Sequence, residues 1–113
     1  MSPNSAKATV VADAAPMFAA LGDETRLKLV ARLSSGGPLP ITRLTAGTGV
    51  TRQAVTKHLT ILAGAGLVRD KRRGRERIWE LEAARLVEAR RCLDEISRRW
   101  DDALDRLKAF VED

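Results

Sequence analysis

The chain has 113 residues, 44 % hydrophobic and 31 % charged, which suits one small domain with a modest core. Its formal charge of +5 and isoelectric point near 10.1 draw it toward polyanions. No apolar run of about 18 residues and no charged-then-apolar leader are present, so nothing is expected to direct the chain into or across a membrane, and a cytoplasmic location is the default expectation. The single cysteine, Cys92, rules out an intrachain disulfide and agrees with a reducing compartment.

The predicted elements are mainly helical. Met1 to Val10 is small and polar, and is expected to be a flexible tail (1–10). A short apolar helix over Ala12 to Leu21 places Val11, Ala14, Ala15, Phe18 and Leu21 on one face, with Asp13 as cap and Pro16 in the first turn. Asp23 caps a second helix carrying Leu27, Leu29, Val30 and Leu33, which Ser34-Ser35-Gly36-Gly37-Pro38 ends. A compact helix follows from Ile41 to about Ala46, and Gly47-Thr48-Gly49 turns the chain. Thr51 then caps a helix from Arg52 to about Ala65, with Val55, Leu59 and Leu62 inward and Gly66 closing it at positive φ. Two short helices joined through a glycine turn form a helix-turn-helix.

Leu67 to Lys71 and Arg75 to Leu81 read as two strands bending at Gly74, a hairpin placed as a wing. The remaining residues, 83–113, contain no helix breaker. Leu86, Ala89, Leu93, Ile96, Trp100, Ala103, Leu107 and Phe110 fall at a and d heptad positions there, giving one apolar seam along a helix of about eight turns. The fold class is therefore mainly α with a small β-hairpin: a winged helix-turn-helix over 11–82 and a long C-terminal dimerisation helix over 83–113.

Charge is concentrated in one place. Between Thr51 and Glu80 stand eight basic residues (Arg52, Lys57, Arg69, Lys71, Arg72, Arg73, Arg75, Arg77) and three acids (Asp70, Glu76, Glu80), a local excess equal to that of the whole chain. One helix and one hairpin forming a positive face is the footprint of a protein that binds double-stranded DNA. Gln53, Thr56 and Lys57 lie opposite or beside the buried stripe, and Arg52 sits in the first turn, where side chains address base edges; a merely solvated polar face is the plainer alternative. Arg72, Arg73, Arg75 and Arg77 suit phosphates or a narrow minor groove.

Three segments, Phe18-Ala19-Ala20-Leu21-Gly22-Asp23-Glu24-Thr25-Arg26-Leu27, Val50-Thr51-Arg52-Gln53-Ala54-Val55-Thr56-Lys57-His58-Leu59, and Ala65-Gly66-Leu67-Val68 followed by Arg73-Gly74-Arg75, stand in an order that resembles the ArsR/SmtB family of winged-helix repressors. The resemblance covers about Ala14 to Leu81. It implies a homodimer that binds operator DNA and changes affinity when a signal arrives. It also implies that His58, the one histidine, supports its helix or touches the DNA backbone rather than a metal. Metal-sensing members use cysteine pairs in or beside the helix before the turn, or Asp and His residues on the last helix. Ile41 to Gly47 holds no Cys, His, Asp or Glu here, and the last helix holds no His. No metal site is expected, and acids such as Glu88, Asp94, Glu95, Asp101 and Asp102 read as an ion-paired surface rather than a hard-ion site.

The seam is assigned to a homodimer through Leu86, Leu93, Ile96, Trp100, Leu107 and Phe110, with Phe18 of the first helix beside it. Cys92 neighbours the seam, which allows either a thiol switch or a small semi-buried side chain. The functional reading is a dimeric, sequence-specific transcriptional repressor reading a palindromic operator. The alternatives are a nonspecific architectural DNA-binding protein and a winged-helix protein-interaction module. No nucleophile, base and acid are grouped and no glycine-rich phosphate loop occurs, so neither an enzyme nor a cofactor is implied. The sequence names no small-molecule or redox effector.

Overall fold

The computed structural model describes residues 3–112. Helix α1 (Pro3–Leu21) leads into α2 (Glu24–Gly36), a short strand β1 (Leu39–Pro40), α3 (Ile41–Thr45) and α4 (Arg52–Gly64). The hairpin β2 (Val68–Arg73) and β3 (Glu76–Leu81) follows, and α5 (Ala83–Glu112) completes the chain. This is a winged helix-turn-helix with a long last helix. Among the described residues no helix is long and apolar enough to cross a membrane.

The first helix departs most from expectation. It begins at Pro3, so residues 3–10 continue the helix instead of forming a tail, while Met1 and Ser2 lie outside the described residues. Proline is well suited to a first helical position, and alanine, frequent along this stretch, has the highest helix propensity. Pro16 consequently lies deep inside α1 rather than in its first turn. The inward face also differs: Ala14, Met17 and Ala20 are buried, while Val11 is exposed. A helix apolar on most sides offers no periodicity with which to choose a face. In α2, likewise, Leu29 and Leu33 are buried but Leu27 points outward.

Capping follows the local chemistry. The Asp23 carboxylate accepts the Arg26 backbone N–H at 3.0 Å at the start of α2. The Thr51 hydroxyl accepts the Ala54 N–H at 3.1 Å at the start of α4. After α4, Gly66 takes φ +76°, a conformation that side chains with a Cβ resist.

The sheet holds three strands rather than two. Leu39 pairs with Trp79 and Pro40 with Ile78, so β3 is central, between β1 and β2 in the order β1-β3-β2. A two-residue strand containing proline has no alternating pattern to detect, and proline is tolerated because β1 lies at an edge. The other edge is β2, paired with β3 from Val68↔Leu81 to Arg73↔Glu76.

One core joins these parts. Met17, Leu29, Leu44, Val55, Leu59, Leu62, Leu67 and Trp79 are fully buried, and Ala89 and Cys92 of α5 close the cluster against α1. Beyond Cys92 the last helix leaves the body. The radius of gyration is 18.4 Å, where a compact chain of this size has about 13 Å. Leu93, Ile96, Trp100, Leu104, Leu107, Phe110 and Val111 are all exposed along this projecting portion.

Candidate nucleic-acid interface

The helix-turn-helix is fixed by side chains that the sequence pattern did not single out. Arg32 of α2 donates through Nη1 to the Leu44 carbonyl at 2.8 Å and to the Ala46 carbonyl, satisfying the orphan acceptors at the end of α3. Within the turn, the Thr48 hydroxyl donates to the Thr45 carbonyl at 2.7 Å, and Gly47 and Gly49 adopt φ +76° and +73°. These contacts set the approach of α4 to α3.

On α4 the inward stripe Val55, Leu59 and Leu62 is completely buried. Thr51, Arg52, Gln53 and Lys57 stand exposed, Gln53 and Lys57 on the side opposite this stripe. Thr56 is half-buried, and its hydroxyl donates to the Arg52 carbonyl at 2.9 Å, so the oxygen faces its own helix and leaves the methyl as the outward group. His58 is half-buried as well. Its Nδ1 lies 3.3 Å from Arg26 Nη1 on α2 and 3.9 Å from Oδ2 of Asp23, the cap of that helix.

The wing separates its basic residues into two groups. Arg69 donates to Glu80 at 2.6 Å and pairs with Glu82 at 2.7 Å, and Lys71 pairs with Glu80 at 3.2 Å. Hydrogen bonds from Arg69 and Lys71 hold the Glu80 carboxyl below its ordinary pKa, while Glu80 raises that of Arg69. Arg77, expected at phosphates, donates to Asp70 and lies 4.8 Å over the Trp79 ring. Among the described residues Arg72, Arg73 and Arg75 have no carboxylate partner, and neither do Arg52 and Lys57 of α4. Of the eight basic residues between Thr51 and Glu80, those five retain charge that no neighbour neutralises. An exposed helix face with amide and cationic donors beside a cationic hairpin tip can bond to base edges and to phosphate oxygens.

Comparison with known proteins agrees with this geometry. A helix-turn-helix domain family matches residues 21–70. A Mycobacterium tuberculosis helix-turn-helix transcriptional regulator, Rv2034, is 40 % identical over 93 residues, 82 % of this chain and 83 % of that protein. The arsenical resistance operon repressor of Escherichia coli is 33 % identical over 84 % of this chain and 79 % of its own length. Among solved structures, an ArsR-like transcriptional regulator from Rhodococcus sp. RHA1 superposes with a TM-score of 0.73 at 35 % identity, covering 88 % of this chain and 92 % of that one.

The chain belongs to the ArsR family of helix-turn-helix transcriptional regulators. In this ArsR-family regulator the residues expected for dimerisation divide. Phe18 and Leu86 pack partly buried against the chain's own core, whereas Leu93, Ile96, Trp100, Leu107 and Phe110 are exposed on α5. Cys92 is buried between α5 and the core, 3 % exposed, so its thiol is a packing group in this structure. Among the described residues no three His, Cys, Asp or Glu side chains come together as metal ligands would. The residues missed by sequence reasoning, Arg26 and Arg32, carried one available signal: each is an arginine close to the apolar face of α2, where a buried or half-buried guanidinium must find acceptors.

Proposed function

We propose that this ArsR-family regulator acts as a homodimeric, sequence-specific repressor that reads a palindromic operator. Arg52, Gln53, Thr56 and Lys57 of α4 address base edges in the major groove, and Arg72, Arg73 and Arg75 hold phosphates or the adjoining minor groove. Thr51 and His58 set the helix that carries these groups, and Arg77 braces the wing through Asp70 and Trp79. The observation that carries the reading is that the five cations of α4 and the wing tip, which have no carboxylate partner among the described residues, stand beside an exposed glutamine. Dimerisation through α5 is supported by its continuous exposed apolar stripe from Leu93 to Val111, which water alone would leave unfavourably solvated. Repression is supported by the 33 % identical E. coli relative named as an operon repressor. Two such faces on one dimer would enter successive major grooves about 34 Å apart.

Selection of bound duplexes from a random pool tests this reading. The expected product is an inverted repeat, bound at least about 10³-fold better than unrelated DNA at moderate salt. Binding without enrichment of any sequence would identify an architectural protein, and no binding to any duplex would identify a protein-interaction module.

A further inference from the structure

The half-buried contact between α2 and α4 carries an inference beyond DNA contact itself. The Arg26 guanidinium donates through Nε to the Ala20 carbonyl at 2.5 Å and through Nη1 to His58 Nδ1 at 3.3 Å, while the Arg26 backbone N–H is held by Asp23. The Ala20 carbonyl belongs to the last turn of α1 and would otherwise be an orphan acceptor. One side chain therefore joins the end of α1, the start of α2 and the side of α4. Because α1 packs through Ala14, Met17 and Ala20 onto the core that includes Ala89 and Cys92 of α5, this junction lies between the long helix and the DNA-facing helix.

We propose that Arg26 is a positioning residue for α4, that His58 is its anchor rather than a phosphate contact, and that the link holds only while the imidazole is neutral. The proposal rests on α4 being the DNA-reading helix. A guanidinium has no acceptor, so Nδ1 must offer its lone pair and the ring proton must sit on Nε2. Protonation fills that lone pair and places two cations 3.3 Å apart, leaving Asp23 Oδ2, at 3.9 Å, as the remaining partner of Nδ1. Asp23, the cap of α2, and Arg26 in its first turn are the charged groups that face His58 from that side. From the other elements on α4, α1 contributes the Ala20 carbonyl through Arg26, and Arg69 and Lys71 of β2 are bound to Glu80. No ion pair or hydrogen bond joins His58 to Arg43 of α3 among the described residues. A proton added to this imidazole therefore opens the link.

The opposing role has the opposite sign. An imidazolium resting on a phosphate gains affinity as pH falls, whereas a released anchor loses it. The first arm of the test needs no DNA. The chain has one histidine, so long-range proton–nitrogen spectra report on His58 without assignment. At pH 8 Nδ1 should be unprotonated, and R26Q should displace its shift; an Nδ1 indifferent to R26Q overturns the anchor.

The second arm measures affinity for the pool-selected duplex between pH 8 and 5.5. Wild type should weaken by roughly three- to tenfold on acidification, about the worth of one hydrogen bond. H58Q and R26Q should show flat profiles, and R26Q should be weaker at pH 8 with an unchanged salt slope. R26K, which keeps the charge but lacks the two-pronged fork, should behave like R26Q. Affinity that rises or stays constant in wild type on acidification, or full rescue by R26K, overturns the proposal. Should no duplex be selected, the DNA reading fails, and the spectra still decide whether the link exists.

Discussion

Arg32 Nη1 sits 2.8 Å from the Leu44 carbonyl, and its guanidinium lies where a side chain on Gly47 would have to go. A Cβ at Gly47 would meet Arg32 Nη2 at 3.1 Å while the backbone stays at φ +76°. Gly47→Ala therefore combines left-handed strain with displacement of the bond that closes α3. A loss of about 1–3 kcal/mol is expected in denaturant titration, with Gly49→Ala milder because its Cβ meets nothing within 4 Å. Equal losses at the two glycines would remove Arg32 from the explanation.

Trp100 is 65 % exposed on the projecting part of α5. If that stripe joins two copies, Trp100→Glu buries a carboxylate at the seam and should yield a monomer by sedimentation. Operator affinity should fall further than with any single wing substitution, because both half-sites lose their fixed spacing. A Trp100→Glu protein that still sediments as a dimer rejects the assignment.

The wing predicts a division among its arginines. Arg72→Gln, Arg73→Gln and Arg75→Gln should each lower the slope of log affinity against log salt by about 1, as loss of one phosphate contact does. Arg77→Gln removes a partner of Asp70 and Trp79 instead, so the slope should stay unchanged while thermal stability declines. A lower slope for Arg77→Gln would return it to the phosphate.

Acid should loosen the structure at two places. The Arg26 backbone N–H lowers the Asp23 pKa, and hydrogen bonds from Arg69 and Lys71 lower that of Glu80. A carboxyl whose folded pKa is depressed stabilises above its unfolded value and loses that contribution as pH falls through the folded one. The share of stability that these two carboxyls supply should hold from neutral pH down to about 4.5 and decline below it, in the range of ordinary carboxyls. Asp23→Asn and Glu80→Gln should each flatten the acid limb of a stability profile; an unaltered limb in both would place the titrating groups elsewhere.

Cys92, 3 % exposed, should react with a thiol reagent only at the rate of unfolding or local opening. Cys92→Ser should lower stability and leave DNA affinity the same under peroxide and dithiothreitol. A redox-dependent affinity lost in Cys92→Ser would restore the switch.

The helix-turn-helix was legible because its signals are local. Thr51 as cap, Gly66 at positive φ and the Val55-Leu59-Leu62 stripe require only neighbours within a turn or two. The start of α1 and its inward face were not, since a nearly uniform apolar helix gains its orientation from what it packs on. Strand β1 is defined by β3, nearly 40 positions away, and Leu39-Pro40 has no pattern of its own. The concentration of charge was visible as a count, but its division was not. Whether Arg77 meets solvent or Asp70 depends on the hairpin register. The link from Arg26 to His58 spans 32 positions and joins two residues whose individual signals are weak.

Strand β2 leaves one long side unpaired, because β3 is already held between β1 and β2. Such a row of free backbone donors and acceptors invites another strand to join it, in this chain or the next. The side chains along it from Arg69 to Arg73 are exposed, and four of the five are basic. Like charges at matching positions, chiefly those of the unpaired Arg72 and Arg73, would repel a second copy of the same edge. A wing neutralised to abolish DNA binding would then give the molecule a second adhesive surface beside the apolar stripe of α5.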